Sequence, residues 1–132
     1  MENGTTKSRG KITIGPLFTV TFSDAQNGTA AGLAGELSTT TDGGKTWKAQ
    51  KLPDQVGTYV LTADTANKKL WVGGTGGKMF VQNPGGQWQE VSRSTFHDLT
   101  DIAFVGNRGV AVGLNGTILL TQNAGEQWQV VQ

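Results

Sequence analysis

The sequence contains no cysteine and a single histidine, His97, among its 132 residues. Disulfide bridges, cysteine nucleophiles and cysteine-ligated zinc are therefore excluded, and a Ser-His-Asp triad would depend on one imidazole. Lys and Arg number 11 against 10 for Asp and Glu. A net charge of +1 is too small to supply the positive electrostatic field that neutralises the phosphates of nucleic acid, so we expect no nucleic-acid partner. No run approaches the roughly 18 apolar residues of a membrane span. We expect no cofactor, no metal and no membrane-spanning segment.

Glycine is abundant instead, at 20 residues, while charged residues make up only 16% of the chain. This balance favours short strands and tight turns over long helices. Three segments align on Trp47, Trp88 and Trp128, which stand about 40 residues apart. Ahead of each tryptophan, four further positions match at fixed spacing. They are Gly32, Gly73 and Gly113; Gly35, Gly76 and Gly116; Asp42, Asn83 and Asn123; Gly44, Gly85 and Gly125.

Each copy of this repeat reads as four short strands separated by turns. Four strands about every 40 residues is the period of a β-propeller blade. We therefore predict an all-β fold of three four-stranded antiparallel blades, at about residues 18–55, 56–95 and 96–132, together forming a unit over residues 18–132. Residues 1–17 form an N-terminal segment with a possible extra outer strand at residues 11–14. The small residues of the second strands predict an inner position near the ring axis.

One stretch has a competing interpretation. Between Gln87 and Val105 there is no glycine or proline, and Phe96, Leu99 and Ile102 recur at helical spacing. The aligned copies place a loop and then a strand there, so we favour a strand. A short helical turn around residues 95–99 remains the alternative.

The segment TTDGGKTW, residues 40–47, resembles the Asp-box, and the copies ending at Trp88 and Trp128 are degraded versions of it. An Asp or Asn side chain at this position accepts backbone N–H bonds, glycine adopts positive φ, and tryptophan covers the hairpin. We expect a structural role and no catalytic residue here. The predicted structural positions are Asp42, Gly44, Thr46, Trp47, Asn83, Gly85, Trp88, Asn123, Gly125 and Trp128.

Two stretches of the sequence match a repeated phrase of a known family, GLAGELSTTTDGGKTW and FVGNRGVAVGLNGTILLTQNAGEQW. On these stretches, residues 18–132 resemble the photosystem II stability and assembly factor family of propellers. Blade three matches best, although Asn123 and Gln127 replace the Asp and Thr of the motif. The resemblance implies a non-catalytic scaffold that binds a protein or peptide. It also implies an extracytoplasmic location, in the periplasm or thylakoid lumen, although the start MENGTTKSRG lacks a signal peptide's apolar segment.

The blade topology predicts which loops bind a partner. The turns after the second strands and the links between blades lie on one face, where propeller ligands commonly sit. The candidate binding residues on these loops are Glu36, Lys51, Asp54, Lys78, Arg93, His97 and Asn115.

The alternative function is a glycan-binding or sialidase-type propeller fragment, because related blades occur in such enzymes. Sialidase sites need an arginine cluster with Tyr and Glu, whereas Arg9, Arg93 and Arg108 fall at non-equivalent positions and Tyr59 is the sole tyrosine. Glycosidase chemistry needs two acids across a cleft, and the candidates on one face are Glu36 with Asp54 or Asp98, although acids on loops are usually only solvated. We therefore expect that the protein is not an enzyme.

Three blades cannot close a ring, because propellers contain roughly four to eight. The chain is therefore either cut from a longer propeller or completed by a second copy. We expect the second arrangement, a homodimer that closes a six-bladed ring.

Overall fold

A computed structural model describes residues 15–53, 57–64 and 66–131. In this part of the chain, three antiparallel sheets of four strands each follow one another, and the strands of each sheet are adjacent in chain order. The strands are β1 (Leu17–Phe22), β2 (Gly28–Gly32), β3 (Glu36–Thr40), β4 (Lys48–Lys51), β5 (Thr58–Asp64), β6 (Lys69–Gly74), β7 (Met79–Gln82), β8 (Trp88–Val91), β9 (Leu99–Val105), β10 (Arg108–Gly113), β11 (Ile118–Thr121) and β12 (Gln129–Val130). We call the sheets blade 1 (β1–β4), blade 2 (β5–β8) and blade 3 (β9–β12). The predicted all-β class and three four-stranded blades are confirmed, whereas residues 11–14 lie outside the described residues.

The first strand of each blade, not the second, lies at the inner edge, since β1 packs beside β5 and β5 beside β9. The small residues of the second strands make room for rings on the first strands. A Cβ on Gly28 would lie 2.7 Å from the ring of Phe22, and one on Gly109 would lie 2.6 Å from the ring of Phe104. The prediction of an inner position for the second strands was therefore wrong, and the glycines there serve packing within each blade.

Two hydrophobic clusters hold the three blades together. The cluster between blades 1 and 2 contains Ala31, Leu37, Leu52, Val72 and Phe80. The cluster between blades 2 and 3 contains Trp71, Met79, Val81, Leu99, Ile102, Ala111 and Leu119. Because a single antiparallel sheet has no core of its own, these contacts between blades supply most of the hydrophobic stabilisation.

The stretch with helical spacing contains a bend and then a strand, β9, which begins at Leu99. The helical turn considered around residues 95–99 does not form. The pairing of β9 with β10 shifts register between Val112 and Gly113, which face Asp101 and Leu99. This irregularity places Leu99 and Ile102 in the same buried cluster. A bulge in a strand thus produces the three-residue apolar spacing that otherwise indicates a helix.

Each second strand ends at a glycine that approaches the start of the first strand. A Cβ on these glycines would lie 1.9, 1.9 and 2.1 Å from a backbone carbonyl oxygen, so no side chain fits. The glycines are Gly32, Gly74 and Gly113, and the carbonyls belong to Pro16, Gly57 and Asp98. The blade 2 equivalent is therefore Gly74 and not the predicted Gly73. The alignment on the tryptophans chose Gly73 because blade 2 has one residue fewer between Gly74 and Trp88 than the other blades have at the same place.

Candidate functional site

The loops of the three blades gather at two ends. At one end, which we call the box end, the first hairpin turn of a blade is tied to the turn before its tryptophan. The Gly43 N–H donates to Gln26 O at 3.0 Å in blade 1, and the Ala124 N–H donates to Asn107 O at 2.8 Å in blade 3. At the other end, the Gly-turn end, lie the short 3₁₀ turns Leu33–Gly35, Thr75–Gly77 and Leu114–Gly116 with the links between blades.

At the box end, the Asp42 carboxylate is held by its own turn. Thr46 donates its hydroxyl at 2.6 Å and its N–H at 3.0 Å, and the Thr40 hydroxyl donates at 2.8 Å. These hydrogen bonds, those from Thr46 foremost, lower the pKa of Asp42 from 3.8 to about 2. The Trp47 Nε1–H closes the turn by donating to Gly44 O at 3.0 Å. The contacts of this carboxylate are those of a turn clamp.

The other two turns differ from each other. In blade 3, Asn123 Oδ1 accepts the Gln127 N–H and the Thr121 hydroxyl, both at 3.0 Å, and so repeats the Asp42 clamp with an amide. In blade 2, the Asn83 side chain donates to Gln89 Oε1 at 3.3 Å instead. The blade 2 turn has therefore diverged from the clamp, while the Asn of blade 3 retains it.

At the Gly-turn end, one cluster joins blade 2 to the link that leads into blade 3. The Gly76 N–H donates to Asp98 Oδ1 at 2.8 Å, and Arg93 Nη1 donates to Gly76 O at 3.2 Å. The Arg93 guanidinium carbon lies 4.6 Å from the ring centroid of Phe96. The Phe96 ring is 76% exposed. The result is a positive charge held over an exposed aromatic ring, which we call the Arg93–Phe96 pair.

The remaining predicted binding residues are distributed around this end. Glu36 Oε1 accepts the Gly15 N–H at 2.7 Å and lies opposite the exposed Lys51 in the β3–β4 ladder. His97 is exposed beside the Arg93–Phe96 pair, and Asn115 is exposed with φ of 61° in the blade 3 turn. Lys78 is half-buried where the blade 2 turn ends, and Asp54 lies outside the described residues.

Phe96 was missed as a site residue by sequence reasoning, which took it for an apolar position of a possible helix. Its exposure depends on the path of the link between blades, which the pattern of apolar residues does not encode. Asp98 was named as one member of a possible carboxylate pair, and it lies in a link between blades that was predicted to belong to the binding face. In the structure, Asp98 instead positions Gly76 beneath Arg93.

A cavity of about 570 Å³ lies between blades 2 and 3. Its lining combines aromatic rings with amides and carboxylates, among them Trp71, Trp128, Gln89, Gln127, Glu90 and Glu126. The indole Nε1 atoms of Trp71 and Trp128 are buried without a hydrogen-bond partner in the described part of the chain. Within residues 15–53, 57–64 and 66–131, no group of His, Cys, Asp and Glu could hold a metal ion, and no helix is long and apolar enough to cross a membrane.

Solved structures with the same arrangement of blades decide the fold. The fold is that of a β-propeller. The structure of YCF48 bound to a D1 peptide matches with a TM-score of 0.74 and 22% identity, over 87% of this chain and 39% of that one. YCF48 from Cyanidioschyzon merolae matches with a TM-score of 0.71 and 25% identity, over 87% and 36% of the two chains. YCF48 is a photosystem II assembly factor, so the predicted resemblance is confirmed.

The same fold also occurs in proteins of other kinds. An ancestral GH74 enzyme matches with a TM-score of 0.66 and 19% identity, over 86% of this chain and 18% of the enzyme. The WD40 propeller domain of Doa1 matches with a TM-score of 0.63 and 10% identity, over 87% of this chain and 38% of that chain. The chain thus spans well under half the length of these four structures. No family model and no curated protein matches the sequence.

Proposed function

We propose that the protein is a non-catalytic scaffold that binds a peptide segment of a partner protein at its Gly-turn end. The observation that carries this proposal is the Arg93–Phe96 pair, which combines a fixed positive charge with a ring that is 76% exposed. Support also comes from the structural likeness to YCF48 bound to a D1 peptide. Exposed aromatic and arginine side chains are the residue types that dominate the energetics of protein interfaces.

The chemistry of the pair indicates what the peptide contains. An arginine stacked on an aromatic ring keeps its in-plane N–H donors for a carboxylate, while the ring receives an apolar side chain. Asp98 and Arg93 both hydrogen-bond to Gly76, so the turn beneath the pair is fixed before a ligand arrives. Such preorganisation lowers the entropic cost of binding. We propose a segment with a carboxylate adjacent to an apolar side chain.

The other predicted residues complete the proposed face. Glu36, Lys51, Lys78, His97 and Asn115 belong to its periphery and adjust specificity rather than anchor the peptide. For Asp54, which lies outside the described residues, a binding role stays a prediction. We propose that the protein acts outside the cytoplasm, as its resemblance to the assembly factor family implies. We propose as well that it acts as a homo-oligomer.

A fluorescence polarisation titration with the labelled D1 peptide tests the binding proposal. We expect Arg93→Ala and Phe96→Ala each to weaken binding at least tenfold, because each removes half of the anchor. Arg108→Ala is the matched control, since Arg108 is exposed at the start of β10, next to the first hairpin turn of blade 3 at the box end. Equal affinity for the wild type and both variants, or no binding of the D1 peptide by the wild type, would contradict the proposal.

The cavity between blades 2 and 3 supports one second candidate, glycan binding or cleavage. Tryptophan with amide and carboxylate side chains is a common lining for sugars, and an ancestral GH74 enzyme shares the fold. A panel of fluorogenic glycosides, including a sialoside and a glucoside, separates this candidate from the scaffold. Turnover that is lost in Glu90→Gln or Glu126→Gln, but kept in Phe96→Ala, would establish the enzymatic alternative, because Phe96 does not line the cavity.

A further inference from the structure

Each blade has a forward flank, which faces the next blade along the chain, and a rear flank, which faces the preceding blade. The forward flank of blade 2 presents Trp71, Met79 and Val81, all of which are buried against blade 3. Counting from the equivalent glycines Gly74 and Gly113, the corresponding residues of blade 3 are Val110, Ile118 and Leu120, with Val112 in the place of Gly73. Val110, Val112 and Ile118 are 37%, 37% and 36% exposed. The forward flank of blade 3 is therefore exposed, although the equivalent flank of blade 2 is buried.

The rear flank of blade 1 is open in the same way. In blade 3 this flank presents Ile102, Phe104 and Trp128, which pack on blade 2. The equivalents in blade 1 are Val20, Phe22 and Trp47. Val20 is 58% exposed, whereas Ile102 is 3% exposed.

The geometry of the two rear flanks is alike. The rings of Phe22 and Trp47 meet edge to face at 6.3 Å and 83°, and those of Phe104 and Trp128 meet at 5.8 Å and 82°. Blade 1 therefore presents the surface that blade 3 uses to bind blade 2.

The residue pattern of blade 3 is that of a sheet covered on both faces. Val110, Ala111 and Val112 are consecutive in β10, so apolar side chains point to both sides of the blade. Antiparallel sheets with one solvated face alternate apolar and polar residues, whereas sheets covered on both faces do not. The forward flank of blade 3 thus has the composition of an interface rather than that of a solvent-exposed surface.

We propose that a second copy of the chain covers both flanks. The forward flank of blade 3 in one copy packs against the rear flank of blade 1 in the other, and a twofold axis along the channel makes the second contact identical. The six blades then lie within the usual range for a closed propeller. This proposal gives the homo-oligomer its interface and does not depend on the peptide.

The contact between blades 2 and 3 indicates which side chains meet. A Cβ placed on Gly73 would lie 3.2 Å from Ile102 Cδ1. The equivalent residues in the proposed interface are Val112 of one copy and Val20 of the other. The forward flank of blade 3 has Val110 in the place of Trp71. Blades can pack without a tryptophan at this position, since blade 1 has Thr29 there and still packs on blade 2.

The area of the proposed interface is sufficient for a specific complex. A four-stranded flank about five residues long covers roughly 300 Å², given strand spacings of about 4.8 Å and a rise of about 3.3 Å per residue. The two contacts bury four such flanks, so the ring buries about 1,200 Å². This value is at the lower end of the range for stable interfaces.

Light scattering on a sizing column, with no peptide present, measures the mass directly. We expect about twice the chain mass of 13.9 kDa at tens of micromolar protein. Val112→Lys and Val20→Asp should each give a monomer, because each places a charge in both contacts of the ring. Ala66→Lys is the control and should stay dimeric, since Ala66 is exposed in the β5–β6 turn and belongs to neither flank.

Mixing the two variants provides the sharpest test. A heterodimer of Val112→Lys with Val20→Asp has one wild-type contact and one contact in which Lys faces Asp. We expect the mixture to recover a dimer that neither variant forms alone. A monomeric wild type at every concentration, dimeric single variants or a monomeric mixture would overturn the proposal. Far-UV circular dichroism checks that each variant folds. Any variant that fails to fold is replaced by Val112→Thr or Val20→Thr at the same position. Each of these should weaken the dimer by at least tenfold.

Discussion

The tryptophan clusters of blades 1 and 3 are built alike and differ in their surroundings. In both, a phenylalanine on the first strand lies over a glycine on the second and meets the tryptophan edge to face. Blade 3 also receives Trp71 from blade 2, whose ring stacks on Phe104 at 5.4 Å and meets Trp128 at 5.6 Å. In blade 1, Trp47 is 40% exposed. The turn therefore sets the position of each tryptophan, and the neighbouring blade decides whether it is buried.

Burial has a measurable consequence for hydrogen bonding. The Trp47 indole donates to Gly44 O, whereas the Trp128 Nε1 is buried without a partner in the described residues. Trp71 presses on the same turn in blade 3, since a Cβ on Gly125 would lie 2.2 Å from its ring. The blade 3 cluster thus gains packing and loses the hydrogen bond that blade 1 retains.

Removing the covering ring should have the largest effect. Trp71→Ala removes a buried ring and enlarges the cavity between blades 2 and 3, and should cost about 3–5 kcal/mol of the free energy of unfolding. Trp47→Ala, made in the Val112→Lys background so that the flank stays open, should cost far less. Urea unfolding followed by circular dichroism measures both. Equal losses would show that the two clusters do not differ in burial.

The glycine positions of blade 2 give the next largest effect. Gly74→Ala places a Cβ 1.9 Å from Gly57 O, so backbone must move, and we expect a loss near 3 kcal/mol. Gly73→Ala meets the flexible Ile102 side chain at 3.2 Å, and Ala31 already occupies the equivalent place in blade 1, so its loss should be about 1 kcal/mol or less. If Gly73→Ala proved the more destabilising, the register of blade 2 assigned here would be wrong.

The two phenylalanine and glycine pairs differ in how freely the ring can move. Gly109→Ala forces Phe104 to move within the space between Trp71 and Trp128, and should cost about 1–2 kcal/mol. Both substitutions are made in the Val112→Lys background, in which the rear flank of blade 1 stays open. Gly28→Ala there meets Phe22, which is 42% exposed and able to swing outward. We expect a smaller fall in melting temperature for Gly28→Ala. An equal fall would indicate that Phe22 is as confined as Phe104.

The smallest effect concerns pH. The folded-state pKa of Asp42 is about 2, below the usual 3.8, so the unfolded chain takes up protons more readily as pH falls. The stabilisation by Asp42 should be fully present above about pH 4 and lost as pH approaches 2. The pKa of Asp24 is also lowered, chiefly by the Asn27 side chain, and acts in the same direction. Asp42→Asn, which copies Asn123, should flatten the melting temperature profile between pH 4 and 2; an unchanged profile would contradict the clamp.

The sequence predicted the blades because their repeat depends on local chemistry, namely the turn residues, the glycines and the tryptophans. It failed where contacts between distant residues decide the outcome. Gly73 and Gly74 are adjacent glycines, and only the approach of Gly57 O distinguishes them. The bulge that brings Leu99 and Ile102 to one side imitates helical spacing. Phe96 became a site residue through its stacking with Arg93, which the path of the link determines.

Fluorine NMR of the chain labelled with 5-fluorotryptophan distinguishes a covered flank of blade 1 from an open one, since it reports the solvent exposure of each of the 4 tryptophans. Single Trp→Phe variants assign the resonances, and the solvent isotope shift in heavy water measures exposure. We predict that Trp47 resembles Trp128 in the wild type, with a small shift, and that its shift rises in Val112→Lys while those of Trp71 and Trp128 stay constant. A large Trp47 shift that is the same in both proteins would show that no second copy covers the flank of blade 1.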